Sequence, residues 1–372
     1  MPGMGSSSRA LGALVIAAVA MAACADTAQD PVPELPAVVT AAEVECSEGA
    51  GLSELLEPEC GVLWGTIDAP DSGPVPLGVD HQEQTVDAIS AEADAGTGFS
   101  FELVRVYERG SRNIGDAVRT RLGELSGDRV LFVSWKVATG TGAWADIAAG
   151  VYDDALETFA QTVAASGETI FVSLHHEPEG DQEGDPADYR AMWHHAHAIV
   201  EAALTAADGG GDIVWVMNYQ GHVSGERLDE VAAYYPGGEY VDWLSYNPYN
   251  WSQCRAGAQW RSFQDVASPL YRYFTSDPAF ADADGEVKPL LIGETGSNED
   301  PGDAQRKAEW IREMADVLEA GKLPAIKGVV YFNQSQPQFC DRYWYTSDSA
   351  AAAYAEASTR PFFNPMTASG AG

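Results

Sequence analysis

The sequence predicts a single-domain α/β protein, a (β/α)8 (TIM) barrel, and three observations carry the prediction. Eight short runs rich in Val, Ile, Leu and Phe recur along the chain. Helical segments separate them, as the crossovers of a parallel sheet require. No glycine-rich phosphate loop follows the first run, as would be usual in an open doubly wound sheet.

The runs cover residues 62–67, 103–107, 130–135, 170–175, 213–218, 241–246, 290–293 and 329–332. Several are near-continuously apolar, which suits parallel strands buried on both faces. Helical patterns lie between them at 147–165, 189–206 and 304–320. The second opens on strong local signals: Asp185 can cap it, Pro186 suits its first position and Asp188 complements the macrodipole. Met192, Ala196, Ile199 and Val200 then make its apolar face.

With 45% apolar and 10% aromatic residues among 372, the chain can fill one large core, and no internal linker divides it. The expected boundaries are a leader over 1–23, a flexible linker with a short N-terminal segment over 24–58, the barrel over 59–363 and a tail over 364–372. Residues 10–23 form an apolar stretch behind Arg9 and end in Met21-Ala22-Ala23-Cys24. This resembles a bacterial lipobox, with Cys24 the lipidated first mature residue; ordinary cleavage near the same alanines is the alternative. Either way the chain is expected to be exported, at the cell surface or secreted, and to meet a membrane only through that lipid. Cys46, Cys60, Cys254 and Cys340 remain beyond Cys24, an even number that suggests disulfides in an exported protein. Of the three possible pairings, Cys46 with Cys60 would close a short loop, and Cys254 with Cys340 would tie two late loops. A formal net charge of −35 excludes a nucleic-acid partner, because binding phosphates needs clustered Lys and Arg. A monomer is expected.

Polar residues gather where the apolar runs end. The fourth run leads into Leu174-His175-His176-Glu177-Pro178-Glu179-Gly180 and the sixth into Ser245-Tyr246-Asn247-Pro248-Tyr249-Asn250-Trp251. The seventh ends in Gly293-Glu294-Thr295-Gly296 and the eighth in Tyr331-Phe332-Asn333-Gln334. In a barrel these ends share one mouth, so Glu177 and Glu294 would face each other across it. Two facing carboxylates are what glycosidic cleavage needs. One protonates the leaving oxygen while the other attacks or stabilises the oxocarbenium-like centre, and their environments must hold the two pKa values apart.

These motifs resemble glycoside hydrolase family 26, β-mannanase-like retaining barrels, over most of the chain from Gly61 to Phe362. The resemblance also includes Ala148-Ala149-Gly150-Val151-Tyr152-Asp153 and the stretch from Tyr235-Pro236-Gly237 to Trp251. It implies Glu177 as general acid/base and Glu294 as nucleophile, with no cofactor and a polysaccharide or oligosaccharide substrate. His176 would position the acid/base or a substrate hydroxyl, and Tyr246 would hydrogen-bond the nucleophile. Trp251, Trp135 and Tyr107 are candidates for stacking on a pyranose, although Trp135 and Tyr107 could equally be core. Asn333, at the end of the eighth run, is a further candidate for binding substrate. The family's mannanases commonly carry Arg-Pro before the His-Glu pair, where this chain has Leu174-His175, and a tryptophan-rich run after it, where this chain has an acidic loop. These departures leave the catalytic pair in place but open the substrate: β-1,4-mannan remains the default, with β-1,3-xylan, mixed-linkage β-glucan and bacterial exopolysaccharide as alternatives.

Two rival classes compete. His175, His176, His194, His195 and His197 suggest a metal hydrolase, but no HExxH occurs, and His194 and His195 cannot both share a helix face with His197. No catalytic metal is expected; a calcium ion on the acidic loop lacks an EF-hand pattern. A non-catalytic carbohydrate-binding lipoprotein would use the same mouth, with no need for glutamate at both positions.

Overall fold

The computed structural model describes residues 51–67, 101–125, 129–221, 228–252, 254–336 and 340–366. Eight parallel strands close into a barrel, each hydrogen-bonded to the next and the eighth to the first. They are β1 (Leu63–Ile67), β2 (Leu103–Arg109), β3 (Val130–Lys136), β4 (Thr169–Leu174), β5 (Asp212–Gln220), β6 (Trp243–Asn247), β7 (Leu290–Thr295) and β8 (Ile326–Tyr331). Eight α-helices lie among the described residues: α1 (Ile114–Glu124), α2 (Ala143–Ala148), α3 (Asp153–Ser166), α4 (Pro186–Ala206), α5 (Leu228–Tyr234), α6 (Phe263–Ser276), α7 (Arg306–Glu319) and α8 (Asp348–Ser358). The chain is a (β/α)8 barrel, as its alternating pattern predicts.

Alternation along the strands sorts side chains into two cores. Leu63, Leu103, Phe132, Phe171, Val214, Val216, Trp243, Leu291 and Val330 fill the barrel, while Trp64, Val104, Val133, Val172, Leu244 and Ile292 pack under the helices. Higher in the barrel the same inward register carries Arg105, Ser134, Ser173, Asn218 and Ser245, all buried. The floor is closed from the N-terminal side. Leu56 is buried in the inner cluster, and the Trp243 indole donates to the Leu55 carbonyl at 2.8 Å. The end of the segment expected as linker thus packs against the barrel.

Two local features differ from the sequence reading. The helix expected over 147–165 is two helices, α2 and α3, broken at Gly150, which sits at φ 82. A left-handed φ ends a helix because it turns the next N–H off the axis, and glycine adopts it without a Cβ penalty. The helix opening at Asp185 forms a full capping box: Asp185 accepts from the N–H groups of Ala187 and Asp188, and Asp188 accepts from the N–H of Asp185. The leader, Cys24, Cys46 and the side chain of Cys340 lie outside the described residues, and the expected cysteine pairings fall on them.

Candidate active site

Glu294 stands where β7 becomes irregular. The pairing register with β8 shifts between Ile292 and Thr295, turning the carboxylate into the mouth with only 7% of its surface exposed. Gly293 precedes it because a side chain could not fit. A Cβ there would lie 2.5 Å from Ser245 Oγ, 2.7 Å from Asn218 Nδ2 and 2.8 Å from Arg105 Nη1. Three groups converge on Glu294: the Tyr107 hydroxyl donates at 2.8 Å, the Tyr249 hydroxyl at 2.7 Å, and Arg105 Nη1 lies 3.3 Å away. Arg105 is fully buried and is itself held by the Gly293 carbonyl, Ser134 Oγ and Asn218 Oδ1. Such a set of donors suits an anionic acceptor.

Glu177 stands on the loop after β4, with a different environment. Its backbone has φ 56 and His175 has φ 49, both left-handed, so the chain doubles back instead of extending the strand. The Glu177 N–H donates to the Asn218 carbonyl, and its carbonyl accepts from Gly180 and Asp181. Asn247 Nδ2 donates to Glu177 Oε1 at 2.5 Å and Gln220 Nε2 reaches Oε2 at 3.5 Å. Burial, reinforced by the charge of Glu294, pushes the Glu177 carboxyl up to about 7; Asn247, Arg105 and Gln220 oppose the shift. One pocket therefore holds a carboxylate surrounded by donors and a carboxyl poised to keep its proton.

Burial disfavours the charged form of the two histidines that precede Glu177. Burial lowers the His176 ring well below its usual range, helped by Arg105; its Nδ1 lies 2.9 Å from Ser134 Oγ, and its ring meets Tyr107 edge-on. His175 is lowered to about 3 by burial and Lys136, and its Nε2 faces the Asp181 carbonyl at 2.8 Å. His175, Asp181 and Glu183 place possible ligand atoms within 4.8 Å of one another. The Lys136 ammonium, however, donates to Asp181 within this group, a cation supplied by the chain itself. His194 and His195 serve α4, facing the Pro236 carbonyl and Asp153, and His197 packs on Trp215 and Tyr240.

Two expectations, Tyr246 as a partner of Glu294 and Trp135 as a stacking residue, need correction, and Tyr107 and Asn333 make contacts that the sequence did not specify. Tyr246 does not reach Glu294; its hydroxyl donates to the Ala267 carbonyl of α6 at 2.8 Å. It shares strand parity with Leu244, which faces the helices, whereas Trp243, Ser245 and Asn247 point inward. Tyr249 makes the contact instead. The β6 and β7 loops are stitched by a bridge from Tyr249 to Gly296 and by Thr295 Oγ1 on the Pro248 carbonyl, which brings that phenol to the carboxylate. Trp135 is core, with no exposed surface, packed on Phe159 and donating to the Gly110 carbonyl. Tyr107 is at the site but as a hydrogen-bond donor to Glu294. Asn333 is buried, and its Oδ1 accepts the Trp344 N–H at 3.1 Å, so it anchors the loop after β8.

Trp251 is half-buried at the mouth, with the guanidinium of Arg255 3.6 Å and that of Arg342 4.4 Å from its ring centroid. Arg105, Asn218, Gln220, Asn247, Tyr249 and Arg342 were not singled out from sequence. Arg105 carried a usable signal, a charge in mid-strand between Val104 and Val106.

No protein-family model matches the chain. It is 29% identical over 226 residues to Endoglucanase H of Acetivibrio thermocellus; the match covers 59% of this chain and 23% of that protein, so the chain spans under a quarter of the relative's length. Its backbone superposes on GH26C from a Muricauda species with a TM-score of 0.55 at 16% identity, covering 82% of this chain and 86% of that one. A modular endo-β-1,4-mannanase from Cellulomonas fimi, a glycoside hydrolase family 26 enzyme, gives 0.52 at 16% identity, covering 83% and 73%. The chain is thus similar in fold to glycoside hydrolase family 26 enzymes and, in part of its sequence, to an endoglucanase.

Proposed function

We propose that the chain is a retaining glycoside hydrolase of the family 26 type that cleaves a β-linked polysaccharide, with β-1,4-mannan the default substrate. The observation that carries this reading is the contrast between two carboxyl groups in one pocket: Glu294 ringed by two phenols and a guanidinium, Glu177 raised to about 7 by burial. Glu294 attacks the anomeric carbon while Glu177 protonates the leaving oxygen. Glu177, now a carboxylate, then takes a proton from the water that releases the sugar. Asn247 and Gln220 orient the acid, and His176, neutral beside Tyr107, offers a ring nitrogen to a substrate hydroxyl. The likeness to Endoglucanase H favours a second substrate, a β-glucan. Export with a lipid at Cys24 belongs to the same reading and rests on the leader motif alone.

The test is reducing-end release from mannan, mixed-linkage β-glucan, β-1,3-xylan and anionic bacterial polysaccharides, with the product anomer followed by NMR. Glu177→Gln and Glu294→Gln should each lower turnover by at least ~10³-fold in folded protein. Near wild-type activity in either variant, or inverted product, would refute the mechanism. Glycan binding by the wild type without cleavage would favour a non-catalytic binder.

A further inference from the structure

Each phenol that donates to Glu294 carries a guanidinium on its ring. Arg105 Cζ lies 4.9 Å from the Tyr107 centroid, and Arg342 Cζ lies 4.4 Å from that of Tyr249. Arg105 also meets Glu294 directly. Arg342 comes from the far side, from the segment after β8, and only 1% of it is exposed. Its guanidinium lies against Tyr249 and Trp251 together, 4.4 Å from each centroid. Its stem passes Gly296, where a Cβ would come within 3.2 Å of Arg342 Cδ. The glycine that closes Gly293-Glu294-Thr295-Gly296 therefore leaves room for this arginine.

We propose that Arg342 is a positioning residue for the nucleophile: it holds the Tyr249 hydroxyl on Glu294 and fixes Trp251 beside it, joining the loops after β6, β7 and β8 into one unit. The inference rests on Glu294 being the nucleophile. A planar guanidinium stacks on an aromatic face where a lysine ammonium cannot, and a cation on the ring strengthens the phenol as a donor. The groups facing Glu294 are Arg105 and Tyr107 from β2, Lys136 from β3, Glu177 after β4, Tyr249 after β6 and Arg342 after β8. Arg342 is the member that reaches Tyr249 by its ring.

The experiment measures the pH profile of kcat/KM and the melting temperature for wild type, Arg342→Met, Arg342→Lys, Tyr249→Phe and the Tyr249→Phe/Arg342→Met double variant of the full chain. Arg342→Met should move the acidic limb up by about one pH unit and lower kcat about tenfold. Arg342→Lys should recover less than half of that kcat loss. In the Tyr249→Phe background the methionine should add less than half of that shift, what remains being the direct attraction between Arg342 and Glu294. An unmoved limb in folded Arg342→Met, or an equal shift with and without the Tyr249 hydroxyl, overturns the proposal. Should the methionine variant fail to fold, wild-type kcat and limb in Arg342→Lys overturn it. Activity surviving in Glu294→Gln would instead sink the nucleophile assignment beneath it.

Discussion

Removing the charge of Glu294 should lower the pKa of Glu177. The structure gives two causes for the raised value: burial first, then the neighbouring carboxylate. On the proposed retaining mechanism, which sets such a pair ~5.5 Å apart, two unit charges interact by about 3 kcal/mol at an effective dielectric of about 20, and by about 1.5 kcal/mol if water at the mouth doubles it. That is roughly 1–2 pKa units. Glu294→Gln should therefore bring Glu177 from about 7 to roughly 5–6, still above an ordinary glutamate because burial persists. Esterification of Glu294 in a trapped glycosyl-enzyme should do the same, which on the proposed mechanism turns the acid of the first step into the base of the second. The assay is a ¹³C-carboxyl NMR titration of wild type, Glu294→Gln and the trapped enzyme. In wild type, kcat/KM should fall as pH rises through about 7, because the proposed first step uses protonated Glu177. An unchanged Glu177 titration in Glu294→Gln would refute the electrostatic coupling and leave burial as the sole cause.

Three further outcomes follow from the geometry. Tyr246→Phe should leave kcat within about twofold and cost about 1 kcal/mol in denaturant titrations, since it removes one buried hydrogen bond remote from Glu294; a large kcat loss would restore Tyr246 to the site. Gly293→Ala should cost about 1–3 kcal/mol and lower kcat as well, because its methyl meets the Ser245, Asn218 and Arg105 groups that seat both glutamates; wild-type stability and activity would contradict the tight approach. Lys307 is fully buried, donates to the Tyr343 carbonyl and Thr346 Oγ1, and has its pKa lowered to about 8. Between about 8 and its unfolded value near 10.4 the unfolded chain holds more protons at this position, so this lysine makes stability rise with pH across that window. Wild type should gain denaturant midpoint from pH 8 to 10 relative to Lys307→Met, and an equal response in the two proteins would contradict the shift.

The barrel and its mouth were legible because buried parallel strands are apolar along their length and stop abruptly where polar residues begin. Glu177 and Glu294 stood at such stops, and closure of the barrel brings the two ends together. Side-chain direction was harder. On β6 both parities carry apolar bulk, Trp243 on one and Leu244 on the other, so composition did not tell Tyr246 from a mouth residue. On β3, Trp135 shares its parity with Leu131 and Val133 and so packs outward. Tyr249 and Arg342 sit on loops with no period to read, and their placement follows from the Tyr249–Gly296 bridge and from the bare α-carbon of Gly296. The break at Gly150 was visible as a glycine but not as a helix end, since an isolated glycine is also tolerated within helices.

Positions 175 and 177 are left-handed without being glycine, a conformation that costs a residue with a Cβ roughly 1–2 kcal/mol. Glycine or asparagine at either position would relieve that strain, as it would at Leu56, so selection for thermal endurance alone would be drawn to the loop that carries Glu177. A descendant selected for endurance alone should grow hardier by keeping the bend and losing the Glu177 carboxyl, and a screen for robust variants needs an activity readout at every round.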